Sequence, residues 1–378
     1  MFALDSASMS GTYPHIRLHL ALGLVFGAVL AAGATTGAWG SQSPPVGQPV
    51  SVQRRLSDDA ARSWVAQSGD RWAAFYTAQQ YARVSESLAG RYVGVGLWVT
   101  RTPDGVDSVT AVRAGSPAAG AGVRPGERLL TVDGRQVTGL PVTDVVALLR
   151  GDGVRGGSPV TLTLQRAGGV RAVTLHRQLL DADDVVLDHP ARGVTRIVVS
   201  AFTTGVGDQV EAALRQNAGR SGTGILLDLR GNSGGLVDEA VETASAFLDG
   251  GPVASYQADG AAVQLTAEPG GDTGTPLVVL VDGGTMSAAE LLTGALQDRG
   301  RAVVVGSRTF GKGAVQQPTT LADGSVLERT VGHYRTPAGH DPDGTGITPD
   351  ITVPPSAGPQ AAESTAIEVL DGLAGTTP

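Results

Sequence analysis

Three short runs of nearly unbroken aliphatic residues constrain this 378-residue chain most: GILLDL (224–229), PLVVLVD (276–282) and RAVVVG (301–306). A strand with one wet face alternates apolar and polar residues. Runs without that alternation are strands covered on both faces, as in a parallel sheet. RIVVSAF (196–202) precedes them as a further strand. Segments of helical spacing lie between. One covers 206–219, with Asp208 in its first turn and Gly219 as its stop. A second covers 236–249, apolar at 237, 240, 241, 244 and 248. A third covers 287–298, apolar at 288, 291, 292, 295 and 296, with Gly300 beyond it. Strands alternating with helices predict a layered α/β domain over 179–355.

The preceding part of the chain has a different pattern. Residues 91–178 carry short strands and turn signals: YVGVGLWV (92–99), a Pro-Gly turn and Asp133-Gly134 within GSPAAGAGVRPGERLLTVDGRQV (115–137), and the alternating PVTLTLQR (159–166) and VRAVTLHR (170–177). A short helix, TDVVALLRG (143–151), interrupts them. This is a compact β-rich module. Residues 41–90 comprise a Pro/Ser/Gln/Gly-rich spacer and then a polar, mostly helical segment holding Trp64, Trp72, Phe75, Tyr76 and Tyr81. The end, 356–378, is polar and is expected to fray.

Residues 1–40 read as an export element. Leu20–Trp39 has 20 residues without a charge, preceded by Arg17. As a helix it would reach roughly 30 Å, the thickness of a bilayer's hydrocarbon core. Ala32-Gly33-Ala34 resembles a small-residue cleavage site. The segment suits a cleaved signal and a retained membrane anchor equally. Either way the rest is expected to work outside the cytoplasm, membrane-anchored or secreted.

Composition removes several chemistries. The net charge is −8 and no run of Lys and Arg occurs, which argues against nucleic acid as a partner. There is no cysteine, so thiol nucleophiles, disulfides, iron–sulfur centres and cysteine zinc sites are excluded. That fits an exported protein without disulfides, although a cytosolic protein can also lack cysteine. Of the six histidines, His15 and His19 lie at the export segment and the other four are scattered, and there is no HExxH or GxxxxGK[ST] motif. Neither a metal nor a cofactor is implied.

Two helix starts and one lysine are left. Gly231-Asn232-Ser233-Gly234-Gly235 brings a strand into a helix through glycines whose free N–H groups attract negative charge; a plain tight turn would look the same. Asp282-Gly283-Gly284-Thr285-Met286-Ser287 opens the next helix, and Ser287 with Glu290 fits a capping box. In Thr309-Phe310-Gly311-Lys312-Gly313 a lysine sits between two glycines after Val303-Val304-Val305. A serine hydroxyl needs a base to become a nucleophile. A lysine can be that base if burial brings its pKa far down.

These motifs resemble the carboxy-terminal processing, or tail-specific, serine proteases of the serine–lysine type. The resemblance rests on LLDLRGNSGG (226–235), on VDGGTMSAAELLTGALQDRGRAVVVGSRTFGKGAVQ (281–316) and on LADGSVLERTVGHYRTPAGHDPDGTGITPDITV (321–353). It implies Ser287 as nucleophile, Lys312 as general base and Gln316 as the residue positioning that lysine. It also implies an oxyanion hole from the N–H groups of Ala288 and a glycine of the NSGG turn, most directly Gly234. The chain departs from the family where it has Asp282 in place of the usual asparagine, and Thr285 and Ala289 in place of serines.

The module at 91–178 resembles a PDZ domain. There Val93, Gly94, Val95, Gly96 and Leu97 would receive a C-terminal carboxylate, the peptide adding as a strand. The implied partners are protein substrates with apolar C-terminal tails; self-association and an adaptor protein are left open. Two functions compete: an exported endopeptidase, and a catalytically silent scaffold that holds protein tails. The presence of Ser287, Lys312 and Gln316 together favours the first.

Overall fold

The computed structural model describes residues 57–101, 106–151, 156–217, 222, 224–258 and 260–375. The expected export segment and spacer lie outside the described residues. No helix among the described residues is long and apolar enough to cross a membrane. The chain divides into two compact units, Val93–Gln178 and the described residues on either side of it.

The N-terminal segment is only partly helical. Helix α1 (Asp58–Gln67) starts where the Ser57 hydroxyl accepts from the Ala60 N–H at 3.4 Å. Helix α2 (Ala78–Leu88) starts on a full capping box, with Thr77 Oγ1 accepting from Gln80 N–H at 3.2 Å and Gln80 Oε1 accepting from Thr77 N–H at 2.9 Å. Between them the sequence suggested more helix. Instead β1 (Ala74–Tyr76) is an added sheet strand, as its aromatic residues allow. Strand β2 (Arg91–Gly94) follows α2.

The Val93–Gln178 unit contains β3 (Leu97–Arg101), β4 (Asp107–Val112), α3 (Pro117–Gly120), β5 (Arg128–Val132), β6 (Arg135–Gln136), α4 (Val142–Arg150), β7 (Pro159–Arg166) and β8 (Gly169–His176). Its antiparallel sheet has the order β3-β4-β5-β7-β8, with β6 on β5. The period-2 pattern of β7 sends Val160, Leu162 and Leu164 inward, onto Val99, Leu129, Val145 and Leu149. The single strand expected over 92–99 is divided in two. Gly96 adopts φ +76°, and a Cβ there would stand 2.3 Å from Ser116 Cβ.

The chain continues with β9 (Gln178–Asp181), paired with β2, then β10 (Val185–Ala191), β11 (Val194–Val199), α5 (Val206–Asn217), β12 (Gly224–Asp228), α6 (Val237–Ser245), β13 (Pro252–Ala258), β14 (Ala261–Thr266), β15 (Leu277–Val281), α7 (Ala288–Asp298), β16 (Val303–Gly306), β17 (Ala314–Thr320), β18 (Val326–Arg335), β19 (Ile351–Thr352) and α8 (Pro359–Gly375). The main sheet has the order β10-β11-β12-β15-β16-β19, parallel from β11 to β19 with β10 antiparallel at one edge.

The aliphatic runs are covered on both faces, as expected. Ile225, Leu227, Leu277, Val279, Val281 and Val304 face α6 and α7, while Leu226, Val278, Leu280 and Val305 face α8. A second, antiparallel sheet runs β1-β18-β13-β14, with β17 on β18.

Helix α8 corrects the expectation of a frayed end. Ala362, Ala366 and Leu370 repeat every four residues and form one apolar stripe against the main sheet. The stripe is narrow enough to be hidden in a polar composition. Arg196, buried beneath the helix, binds Glu363 at 2.7 Å and Asp188 at 2.6 Å.

Candidate active site

Strands β12, β15 and β16 are parallel neighbours, and their carboxyl ends carry the three segments the sequence singled out. In open α/β sheets this is where ligands bind. The turn after β12 is fastened by Asn232, whose Nδ2 donates to the Val199 carbonyl at 2.9 Å and whose carbonyl accepts from Met286 N–H at 2.8 Å. Asp282, after β15, accepts from Gly231 N–H at 2.9 Å and Gly284 N–H at 2.8 Å through one oxygen. The asparagine usual at that position in the family could supply the same acceptor.

Ser287 joins this turn to α7 with φ +56° and ψ −118°. For a residue with a Cβ this is a sparsely populated conformation, costing about 1–3 kcal/mol unless neighbours impose it. Glu290 is one such neighbour. In the capping box it accepts from the Ser287 N–H at 2.9 Å, while the Ser287 carbonyl accepts from the Glu290 N–H at 2.8 Å. The strand–strained turn–helix arrangement lifts a serine as the elbow of other hydrolases does, without the GxSxG spacing.

Gly234 lies directly against the serine. A Cβ there would be 2.9 Å from Ser287 Cβ and from the Met286 carbonyl oxygen. Its N–H, expected to face an oxyanion, donates to Asn232 Oδ1 at 2.8 Å. In this structure Gly234 therefore gives the turn its close approach, with its donor already engaged. Ala288 N–H has no hydrogen-bond partner among the described residues and lies at the start of α7.

Glu290 does more than cap. It is fully buried and also accepts from Thr309 Oγ1 at 2.5 Å, Gly311 N–H at 2.8 Å and Lys312 N–H at 2.8 Å. One carboxylate thus fixes the backbone of the serine to the backbone of the lysine. Burial raises its pKa above the usual range, while the hydrogen bonds from Thr309, Lys312, Ser287 and Gly311 pull it down.

Burial lowers the pKa of Lys312, the direction a base requires, against the opposing pull of Glu328, Asp70, Asp343 and Glu290. Its Nζ stands over the Trp72 ring, 5.2 Å from the centroid. Among the described residues no hydrogen bond joins it to Ser287 or to Gln316. Gln316 Nε2 donates instead to the Trp72 carbonyl, so the residue expected to position the lysine touches the same tryptophan that the lysine faces.

Asp343 accepts from Arg71 at 2.7 Å, Trp72 Nε1 at 3.3 Å and Gly313 N–H at 3.0 Å. Sequence reading missed Trp72, Asp343 and the wider reach of Glu290. Only the capping-box spacing marked Glu290, and nothing marked a tryptophan 240 residues away from the lysine.

In the other unit, Val93 and Gly94 end β2, and Leu97 opens β3, the terminal strand of its sheet. The turn is set by Ala118 N–H donating to the Val95 carbonyl and Arg113 N–H to the Gly96 carbonyl, both at 3.0 Å.

A strained serine and a lysine of lowered pKa, their backbones fixed by one buried carboxylate at the carboxyl ends of a parallel sheet, define a hydrolase-type α/β protein. Models of known families make the class specific. The model described as peptidase family S41 matches 193–353, and a PDZ-domain model matches 108–166. A CtpA-like serine protease of Staphylococcus aureus (strain N315) is 34% identical over 304 residues, 79% of this chain and 60% of the relative. A carboxyl-terminal-processing protease of Synechocystis sp. is 36% identical over 283 residues, 73% of this chain and 66% of the relative.

Among solved structures, the photosystem II D1 C-terminal processing protease has a TM-score of 0.53 at 30% identity, covering 85% of this chain and 88% of that one. An S41 protease from Bacteroides fragilis, at 17% identity and a TM-score of 0.56, shares the fold over 97% and 99% of the two chains. The chain belongs to peptidase family S41, with the carboxyl-terminal-processing proteases, and carries a PDZ domain. Its match spans about 60% of the length of the staphylococcal relative.

Proposed function

We propose that the chain is an exported serine endopeptidase that captures the C-terminal tail of protein substrates in its PDZ domain and cleaves them with a Ser287/Lys312 pair. The observation carrying this reading is the Glu290 carboxylate, which ties a strained serine to a buried lysine of lowered pKa. Such strain persists only where the surroundings impose it.

In the proposed reaction the Ser287 hydroxyl attacks the scissile carbonyl and its proton passes to the neutral Lys312 amine. The resulting oxyanion is met by the Ala288 N–H, a donor type worth about a hundred- to a thousandfold in rate. The lysine ammonium then protonates the leaving amine. The acyl-enzyme forms, and water, deprotonated by the same lysine, releases the acid and restores the serine. Gln316 and the turn at Gly234 shape the site around these atoms. In the PDZ domain, the carboxylate of a bound tail would sit at 93–97 and its strand would extend β3. The uncharged segment at 20–39 supports export.

The test uses the chain without residues 1–40 and an unfolded protein ending either in an apolar tail or in the same tail amidated. Cleavage of the first by wild type, slower cleavage of the second, and none by an equally stable Ser287→Ala variant are expected. Cleavage by Ser287→Ala would overturn the assignment of the nucleophile. Equal rates on both tails would remove tail capture.

A further inference from the structure

The N-terminal segment enters the catalytic site through one side chain. We propose that Trp72 is a positioning residue for the general base: its indole covers the Lys312 amine, excludes water from it and so sets the pH at which the lysine becomes a base. The proposal rests on the serine–lysine reading above.

Three observations support it. The Lys312 Nζ stands over the Trp72 ring at 5.2 Å, and its pKa is lowered by burial. The ring is itself held, with Nε1 on Asp343, which also binds Gly313 beside the lysine, and with Phe310 tilted against it at 6.1 Å between centroids. The loop carrying it is anchored from below. Asp70 accepts from Trp72 N–H at 3.0 Å and from Thr330 N–H and hydroxyl, each at 2.8 Å. A loop meant only to connect α1 to β1 needs no such fastening around one ring.

Two effects of the ring oppose each other. An aromatic face attracts a cation and favours the charged amine, by about 0.5–2 kcal/mol, or up to about 1.5 pKa units. Covering the amine removes water and favours the neutral form, with shifts of up to about 3–5 units at full burial. At 5.2 Å the attraction is near its weak end, so exclusion of water wins. Four carboxylates, Glu328, Asp70, Asp343 and Glu290, act on this amine. With water admitted, nothing would hold its pKa down against them. The main-chain carbonyl of residue 72 that receives Gln316 survives any substitution, so a change of side chain isolates the ring.

The experiment measures kcat/KM against pH for wild type, Trp72→Phe and Trp72→Ala, with Lys312→Ala in parallel and melting temperatures for all. In wild type the rate rises with pH as the lysine loses its proton. The expected result is an acidic limb moved upward by about one unit or more in Trp72→Ala and by less in Trp72→Phe, which keeps a ring. At pH 7 that costs Trp72→Ala about tenfold or more in rate. Loss of activity with the limb unmoved in Trp72→Phe would make Trp72 merely structural and overturn the proposal, as would unchanged profiles in both variants. Full activity in Lys312→Ala would overturn the serine–lysine reading and this proposal with it. Trp72 failing alone leaves that variant inactive, which separates the two failures.

Discussion

The buried cations beneath α8 and the buried cation of the site are treated in opposite ways. Arg196 meets Asp188 at 2.6 Å and Glu363 at 2.7 Å, and Arg230 meets Asp228 at 2.5 Å. Burial opposes the charge of both arginines, but their carboxylates outweigh it and both pKa values end above the ordinary one. Lys312 has its carboxylates too, yet the amine faces an indole and its pKa ends below the ordinary one. A cation meant to stay charged is given bonded carboxylates. The lysine proposed as the base is given apolar cover, and among the described residues no acid is paired with its amine.

The largest way to break this contrast is Lys312→Ala. Turnover should fall by about three orders of magnitude or more. Because the folded protein disfavours the charged lysine, its removal should leave the melting temperature at pH 7 unchanged or higher. Arg196→Met reverses the pattern. It strands Asp188 and Glu363, so stability should fall by about 3–5 kcal/mol by denaturant titration, with the pH profile of activity unmoved in the folded fraction.

Glu290→Gln sharpens the comparison inside the site. An amide cannot receive all four donors that the carboxylate holds, and each unsatisfied buried donor costs about 1–3 kcal/mol. A loss of about 10- to 100-fold in kcat is expected, with KM little changed in steady-state assays.

Asp184 supplies a buried anion for the same comparison. Its Oδ2 accepts from the Thr203 hydroxyl at 2.5 Å, while Oδ1 has no partner among the described residues. Burial, aided by Asp183 and opposed by the Thr203 hydrogen bond, brings its pKa up to about 6. A carboxyl raised in the folded state favours the fold at low pH, and that advantage is lost as pH rises from about 4 through 6. Asp184→Asn should therefore stabilise the protein by at most about 3 kcal/mol at pH 7.5 and not at pH 4, as read from melting curves.

The sequence made the sheet legible because burial on both faces leaves aliphatic runs with no polar residue to confuse them. It also marked Ser287 and Lys312, since glycine turns and a lysine enclosed by apolar residues are local signals. What it hid was non-local. Helix α8 buries only a narrow stripe. Strand β1 is three residues long and owes its place to β18. The Gly234 donor is taken by a side chain two residues away, which spacing alone does not reveal. Trp72 reaches Lys312 only through a loop fastened by Asp70 and Asp343, each acting on backbone far away in sequence.

The most direct measurement is the titration of Lys312 itself. In Ser287→Ala protein, the pH dependence of acetylation at this lysine would be followed by mass spectrometry of the peptide carrying it. A midpoint below the ordinary lysine value near 10.4 is predicted, because burial disfavours the charged amine. A midpoint at or above that value would mean a charged lysine at working pH, and Lys312 could not then be the base.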